Sequence, residues 1–300
     1  MKHLIFATMK HLLLIPLLAL GLTTAHAQEA MFPALDAKVL GMGGVAMTAV
    51  SGSHTIYNNP AMAAFSTHPW QVSSSYCGID RSDYYAVTGY WRFNYLNDLQ
   101  LGWRQLLREK GNNDMAVDIG YSRRIGDRWA VGAVTRYQRL KRPDAAADAL
   151  AVDLGLGWSK PLENVGDLSL LRVGAKVGNL GGSFKDSGVT LPANVMAGVS
   201  LDTYLTDAHE ITVGADVGYY FNPSYVRGCQ ISVGAEYNLM QLVQLRAGYH
   251  YGQRRVYYPT YASLGAGLRF LHLRLDFAYL FARKNTALHN TYSISFGFDF

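Results

Sequence analysis

Residues 210–221 read EITVGADVGYYF. In an extended chain Ile211, Val213, Ala215, Val217, Tyr219 and Phe221 lie on one face, and Glu210, Thr212, Gly214, Asp216 and Gly218 on the other. One such segment is compatible with any half-buried strand. Here the alternation continues: Ile231, Val233, Ala235 and Tyr237 against Gln230, Ser232, Gly234, Glu236 and Asn238, then Val243, Leu245, Ala247, Tyr249 and Tyr251 against Gln244, Arg246, Gly248 and His250. Two more segments, Ala262 to Phe270 and Leu273 to Phe281, are joined by a tight connection at Leu271-His272. The last apolar face is Tyr292, Ile294, Phe296, Phe298 and Phe300.

Working toward the N-terminus, the same period predicts strands near residues 70–77, 84–93, 98–107, 115–124, 128–139, 149–159, 168–178 and 193–203. With the six later segments the count is about fourteen, an even number as a closed antiparallel transmembrane barrel requires. The predicted fold class is therefore all-β, a transmembrane antiparallel β-barrel in contact with outer-membrane lipid. An isolated set of such strands would leave unpaired backbone groups in hydrocarbon, so closure is part of the prediction. The terminal aromatic Phe300 on an amphipathic final strand resembles the signal by which barrel-assembly machinery recognises its substrates, which makes that machinery an expected partner during insertion.

Composition agrees. Only 16% of the 300 residues are charged, 12% are aromatic, and there are 30 Gly and 20 Tyr; a barrel conceals this balance by turning apolar groups to lipid and polar ones to the lumen. Residues 1–27 carry Lys2 and Lys10, an apolar run from Leu12 to Leu22, and Ala25-His26-Ala27, which fits the small-x-small rule for signal peptidase. Three parts are thus expected: a signal peptide over 1–27, an N-terminal hatch segment over 28–69, and the barrel over 70–300. Loss of the two signal lysines leaves 25 basic against 22 acidic residues, +3, too dispersed to argue for nucleic acid. Strand parity points Cys77 inward and Cys229 outward on distant strands, so two free thiols are expected.

Residues 31–65 do not alternate. Gly41-Met42-Gly43-Gly44, the small residues 46–50 and the turn at Asn59-Pro60 predict a compact stretch able to fit in the lumen as a plug. Gly120, Gly132, Gly155, Gly174, Gly198, Gly234 and Gly248 all point inward. They either let the strands bend or thin the wall to seat that plug. Trp91, Trp103, Tyr121, Trp129, Tyr137 and Trp158 point outward, where interfacial girdles belong. The longest loops are expected around Lys141 to Asp148 and Gly181 to Leu191.

Gly41-Met42-Gly43-Gly44, followed by Asn58-Asn59-Pro60-Ala61 and the first strand, resembles the N-terminal hatch of FadL-like outer-membrane proteins. Gly178-Asn179-Leu180-Gly181, Leu191-Pro192-Ala193, Gly234-Ala235-Glu236-Tyr237, Leu245-Arg246-Ala247-Gly248-Tyr249 and Leu275-Asp276-Phe277-Ala278-Tyr279 resemble the PorV/PorQ branch of that superfamily. The resemblance implies a fourteen-stranded barrel with a hatch motif at Gly41, Gly43, Gly44, Asn58, Asn59 and Pro60. It also implies location in the cell outer membrane and a role in type IX protein secretion, binding secretion components or secreted cargo at the cell surface. The alternative is a FadL-like passive channel for hydrophobic small molecules.

Inward charges of both signs, among them Asp118, Arg124, Arg136, Asp153, Arg172, Lys176, Asp202, Asp216, Arg269 and Arg274, are too costly to bury singly and are expected to pair across the lumen or with the hatch. Glu236, Arg246 and Asp276 stand out as a lumen charge network on the motif-bearing strands. The Gly41–Gly44 run lacks a following Lys-Ser/Thr, which argues against nucleotide binding. His54, His68, His209, His250, His272 and His289 show no metal-ligand spacing, so neither a metal nor another cofactor is expected. Ser232, His250 and Asp276 are all inward, but such trios arise by chance in a polar lumen, and no enzymatic activity is expected.

Overall fold

A computed structural model describes residues 36–79, 82–108, 112–143, 146–163, 165–184, 189–253, 259–284, 286 and 288–300. The signal peptide and the first residues of the expected hatch segment lie outside these. Fourteen strands run in chain order: β1 Trp70–Ile79, β2 Ser82–Asn94, β3 Asn97–Arg108, β4 Asn113–Ile125, β5 Trp129–Lys141, β6 Ala146–Leu162 and β7 Leu168–Leu180. They continue with β8 Ala193–Thr206, β9 His209–Asn222, β10 Gly228–Leu239, β11 Val243–Gly252, β12 Tyr261–Phe270, β13 Leu273–Ala282 and β14 Tyr292–Asp299. Each pairs antiparallel with its chain neighbours, and β14 returns to β1 to close the barrel.

The period-two reading survives at residue level. On β4 exposure alternates from Met115 to Tyr121, with Ala116, Asp118 and Gly120 inside and Val117, Ile119 and Tyr121 outside. The outer face is apolar along its length: Ile119, Leu154, Val217, Leu245 and Leu264 are each about half exposed, as lipid-facing positions of a barrel are in the absence of lipid. No helix among the described residues is long and apolar enough to cross a membrane. Aromatic rings cluster at the rim that carries the tight turns. Trp70 stacks on Phe300 at 3.6 Å and Trp129 lies 6.4 Å from Trp158. Trp103 departs from the girdle expectation, because it sits in mid-strand opposite Val87 and Val117.

Two-residue connections at Tyr95-Leu96, Asp207-Ala208 and Leu271-His272 mark this short-turn rim. Most connections at the other rim are longer, but not where Lys141 to Asp148 was expected to provide a long one. β6 starts at Ala146, and Ala146 to Asp148 are paired with β5 across from Lys141 to Arg139. The long connections are residues 181–192, 253–260 and 283–291. Alternation in Ala146 to Asp148 is weak, since two of the three are alanine, and so the strand was hidden in sequence.

Residues 36–66 lie inside the barrel and touch all fourteen strands. A short helix, α1 (Ala37–Gly41), begins at Asp36, whose side chain accepts from the Lys38 amide at 3.0 Å. It packs against β11 to β14, where the Ala37 amide donates to Ser295 at 3.1 Å. A 3-10 turn over Gly52–Ile56 meets β1, β2 and β3 through Ser53, His54 and Thr55. A second, over Pro60–Phe65, packs against β3 to β6.

Of the two readings of the inward glycines, seating the plug fits the distances. A Cβ on Gly174 would stand 2.0 Å from the Met47 carbonyl oxygen, one on Gly234 2.2 Å from that of Met42, and one on Gly248 2.1 Å from the Gly43 nitrogen. These neighbours are backbone and cannot rotate away. Wall and plug therefore approach to a distance only hydrogen side chains allow.

Gly248→Ala is expected to displace the plug at Gly43 and to cost about 1–3 kcal/mol of overpacking. Gly89→Ala, on the outer face with nothing within 4 Å of the added carbon, is expected to be neutral. Amide hydrogen exchange of residues 42–48 in the folded barrel checks both; equal protection in the two variants would contradict the close-packing reading.

Candidate functional site

The joints of the plug coincide with the predicted hatch motif. Ser263 on β12 accepts from the Gly43 amide at 3.0 Å and donates to the Gly41 carbonyl at 3.1 Å. Gly43 and Gly44 have φ of 68° and 87°, a region that side-chain-bearing residues rarely adopt. On the opposite side of the lumen Asn59 carries the second joint. Its Nδ2 donates to the carbonyls of Met47 at 2.9 Å and Leu156 at 3.1 Å, and its Oδ1 accepts from Ala61. Pro60 opens the 3-10 turn, and Asn58 reaches Asp36 and Ser51. The two halves of the motif are thus separate hinges of one segment, one against β10 to β12 and one against β5 and β6.

Glu236, Arg246 and Asp276 do come together. Glu236 and Arg246 are register partners on β10 and β11, and Arg246 bonds Glu236 through Nε and Asp276 through Nη1, the latter at 2.6 Å. The guanidinium crosses β12 to reach Asp276 on β13, and Gly265 and Gly267 on β12 leave the room for it. Lys38 from α1 adds a contact to Glu236 at 3.5 Å, and Arg274 one to Asp276 at 3.6 Å. All three residues are buried, a setting in which pairing with several donors is what makes ionised groups tolerable.

A second network was only half visible in sequence. Arg104 on β3 forks onto Asp118 on β4 at 3.0–3.2 Å, Arg136 on β5 bridges Asp118 at 2.7 Å and Asp153 on β6 at 3.0 Å, and Lys176 on β7 stands 3.8 Å from Asp153. Lys176 also donates to the Tyr57 carbonyl of the plug at 3.1 Å, and the Arg104 guanidinium lies 4.4 Å from the Tyr57 ring centre. Arg104, Asp98 and Asp114, all buried, were missed as lumen charges, although the same parity that found Asp118 places them inside.

Asp216 meets the plug, one of the two kinds of partner expected for the inward charges. Its Oδ2 accepts from the amides of Ala46 at 2.6 Å and Met47 at 2.9 Å, so one carboxylate of the wall holds the plug by its backbone. His54 in the plug bonds Ser75 on β1 at 2.7 Å; burial lowers its pKa from 6.5, with the Asp36, Arg274 and Asp276 charges acting less strongly, so the ring is neutral at neutral pH. Ser232 and His250 form a 2.9 Å hydrogen bond, with His250 stacked on Tyr261. Asp276 belongs to the Arg246 network instead, so the suspected trio does not assemble. Cys77 is buried on β1 and Cys229 lies on β10, distant in strand order. No cluster of metal-ligating side chains occurs among the described residues.

The plug divides the lumen. Toward the short-turn rim lies a vestibule of about 420 Å³, lined by Lys38, Arg172, Arg269 and Arg274 and by Asp202, Glu210, Glu236 and Asp299. Toward the long-loop rim a smaller cavity of about 140 Å³ separates plug from wall. Val39, Ala46, Met47, Met196, Tyr220 and Tyr261 form its apolar sides, and Arg104, Arg136, Asp153 and Lys176 form the charged one.

Replacing Arg246 by Met leaves Glu236 and Asp276 with the more distant Lys38, Arg269 and Arg274, and is expected to destabilise the barrel by about 3 kcal/mol, read as a lower urea midpoint of the vesicle-folded protein. Asp216→Asn is expected to leave the barrel intact but to weaken the two charge-assisted bonds to the plug, worth about 1.5–3 kcal/mol each. Faster amide exchange at Ala46 and Met47 with unchanged exchange in β1 to β14 is the corresponding signature.

No family model matches the sequence, and no curated protein matches it. Solved structures do resemble it. The Ralstonia pickettii toluene transporter TbuX superposes with a TM-score of 0.55 at 12% identity, covering 91% of this chain and 99% of that one. The monoaromatic hydrocarbon channel CymD gives 0.58 at 14% identity over 89% and 97% of the two chains. A Pseudomonas aeruginosa FadL homologue gives 0.57 at 13% over 91% and 100%. At such identities the likeness speaks for the fold: this chain is a closed fourteen-stranded barrel of the FadL-like type.

Proposed function

We propose that this protein is an outer-membrane passive channel for small hydrophobic molecules. This was the second of the two readings of the sequence, and it now stands ahead of the type IX secretion role, which nothing in the barrel or in its structural neighbours favours. Those neighbours include a toluene transporter and a monoaromatic hydrocarbon channel, neither of them an enzyme.

The observation that carries the reading is the cavity between plug and wall. A barrel serving only as a docking platform needs no apolar chamber inside. Here Val39, Ala46 and Met47 of the plug face Met196, Tyr220 and Tyr261 of the wall across one, a concave site with a few convergent polar groups, as small-molecule sites are. Bacterial barrels place long loops outside and short turns in the periplasm, so the cavity faces the exterior and the vestibule the periplasm. Between the cavity and the outside, the loop of residues 181–192 folds Phe184 and Leu191 onto Leu140, Ala149 and Ala151, while Leu288 of the last loop packs with Tyr84, Leu106 and Leu280.

Transport is then downhill. The plug occupies the whole cross-section, so passage requires it to loosen locally at the wall. The Asp216 anchor on β9 lies beside the cavity through Ala46 and Met47, and its two bonds are the ones a solute in the cavity would compete with most directly.

Expression of the full chain in a Gram-negative host is expected to raise the initial uptake of labelled toluene by intact cells several-fold over cells without it. Met196→Trp, which fills the cavity from the wall, is expected to return uptake to the control level. Unchanged uptake together with secretion components or secreted cargo recovered on affinity purification from native outer membranes would replace the channel with the secretion role.

A further inference from the structure

On the outer face of the barrel, β1, β2 and β3 set their side chains in rows across the sheet. Trp70, Trp91 and Leu99 form the row nearest the short-turn rim, Val72, Gly89 and Leu101 the next, and Ser74, Val87 and Trp103 the one after. The middle row lacks its central side chain. A carbon added to Gly89 would meet nothing within 4 Å, whereas Gly78, the other outward glycine of these three strands, lies under the Tyr292 ring. The result is a groove of about 380 Å³ in the outer wall, lined by Trp70, Val72, Trp91, Leu99 and Leu101 around the bare backbone at Gly89.

Hydrocarbon gains most where it touches atoms on its flanks as well as beneath. A flat stretch of wall offers contact only beneath. Here two indoles, large and stiff, stand beside a strip of backbone, a shape that an extended methylene chain follows. The second observation is a charge nearer the rim. Arg123 on β4 points outward and is exposed, and its neighbours across the sheet are Asn97 on β3 and Val131 on β5, neither of which neutralises it. Tyr121, two residues before it, is the register partner of Leu99 in the groove, so Arg123 stands roughly 8 Å from Leu99 on the rim side. The β2–β3 turn beside it exposes Tyr95, an aromatic of the kind that marks the headgroup level.

From this we infer that the groove is a binding site for one anionic phospholipid, an acyl chain lying over Gly89 between Trp70 and Trp91 and the phosphate paired with Arg123. An arginine fork suits a phosphate in particular. With the short turns in the periplasm, the lipid belongs to the inner leaflet. The site lies outside the lumen and is independent of the channel reading.

Native mass spectrometry tests this on the full chain folded into vesicles of equal parts phosphatidylglycerol and phosphatidylcholine and then released into a mild detergent. The natural chain is expected to retain one phospholipid and to favour phosphatidylglycerol about fivefold, the worth of one cation beside an anionic lipid. Gly89→Leu, which fills the groove, is expected to remove the bound lipid. Arg123→Gln is expected to bring the ratio of the two lipids close to one, and Arg123→Lys to keep most of the preference. Ala215→Leu, on the outer face of β9, is expected to change nothing. Absence of a retained lipid on the natural chain, retention unaltered in Gly89→Leu, or an equal loss in Ala215→Leu would overturn the inference. A mass of two chains that Gly89→Leu abolishes would give the groove to a second copy of the protein instead. Heat-modifiable mobility reports the folding of each variant; should Gly89→Leu not fold, the lipid ratio in Arg123→Gln decides, an unaltered ratio overturning the site.

Discussion

The pairing of β1 with β14 is the constraint on which everything else in this protein depends. Eight residue pairs from Gln71–Asp299 to Gly78–Tyr292 close the sheet, and without them two strand edges would stand unpaired in hydrocarbon, where each orphaned amide or carbonyl costs several kcal/mol. The seam is reinforced where water and lipid meet. The terminal Phe300 stacks on Trp70, the first residue of β1, and its amide donates to the Trp70 carbonyl at 3.0 Å. The last residue of the chain is thus locked to the first residue of the barrel.

Closure creates an interior, and the interior has to be filled. Fourteen strands enclose more space than their own side chains occupy, so the N-terminal segment enters as a second layer. Its polar groups then need partners, which the wall supplies one by one: Ser263 and Ser295 for the backbone of the α1 region, Asp216 for the amides of Ala46 and Met47, the Leu156 carbonyl for the Asn59 side chain. Glycines along β7, β10 and β11 let the two layers meet. Plug and wall are therefore one packing problem with two solutions in the same residues: small where backbones touch, ionic where side chains can reach across. Arg246 shows both at once, spanning from Glu236 to Asp276 over two glycines of β12.

The architecture was legible because period-two segregation is a property of the chain itself and accumulates over fourteen segments. Strand β9, read from Glu210 to Phe221, alternates almost without exception, and lies in the barrel at His209–Asn222. Where small residues blurred the alternation, as in Ala146 to Asp148, a strand was taken for a loop. The interior was legible only as composition. Parity says that Asp118, Asp153 and Asp216 all face inward, but not that Arg136 joins the first two while the third faces amides of a segment 170 residues away. Those pairings depend on which strands lie side by side and where the plug threads between them. The resemblance to the PorV/PorQ branch rested on motifs in strands and turns, and these serve the barrel whatever passes through it. That is why they identified the fold more securely than the activity.

The two chambers on either side of the plug set the direction of the argument from structure to transport. The outer one joins an apolar surface to a wall of Arg104, Arg136, Asp153 and Lys176; the inner one is polar, lined by charges of both signs. A solute with an apolar body is more stable in the first than in the second, and it gains nothing electrostatically by moving inward. Nothing in the fold supplies energy to push it. On the proposed channel reading, net flow comes from removal on the far side, and the barrel lowers the barrier between the chambers rather than accumulating its cargo. A partition one chain thick, anchored by separate bonds around its circumference and not by a single core, can yield over one sector while the remaining sectors hold, which is the mechanical property a downhill path of this kind requires.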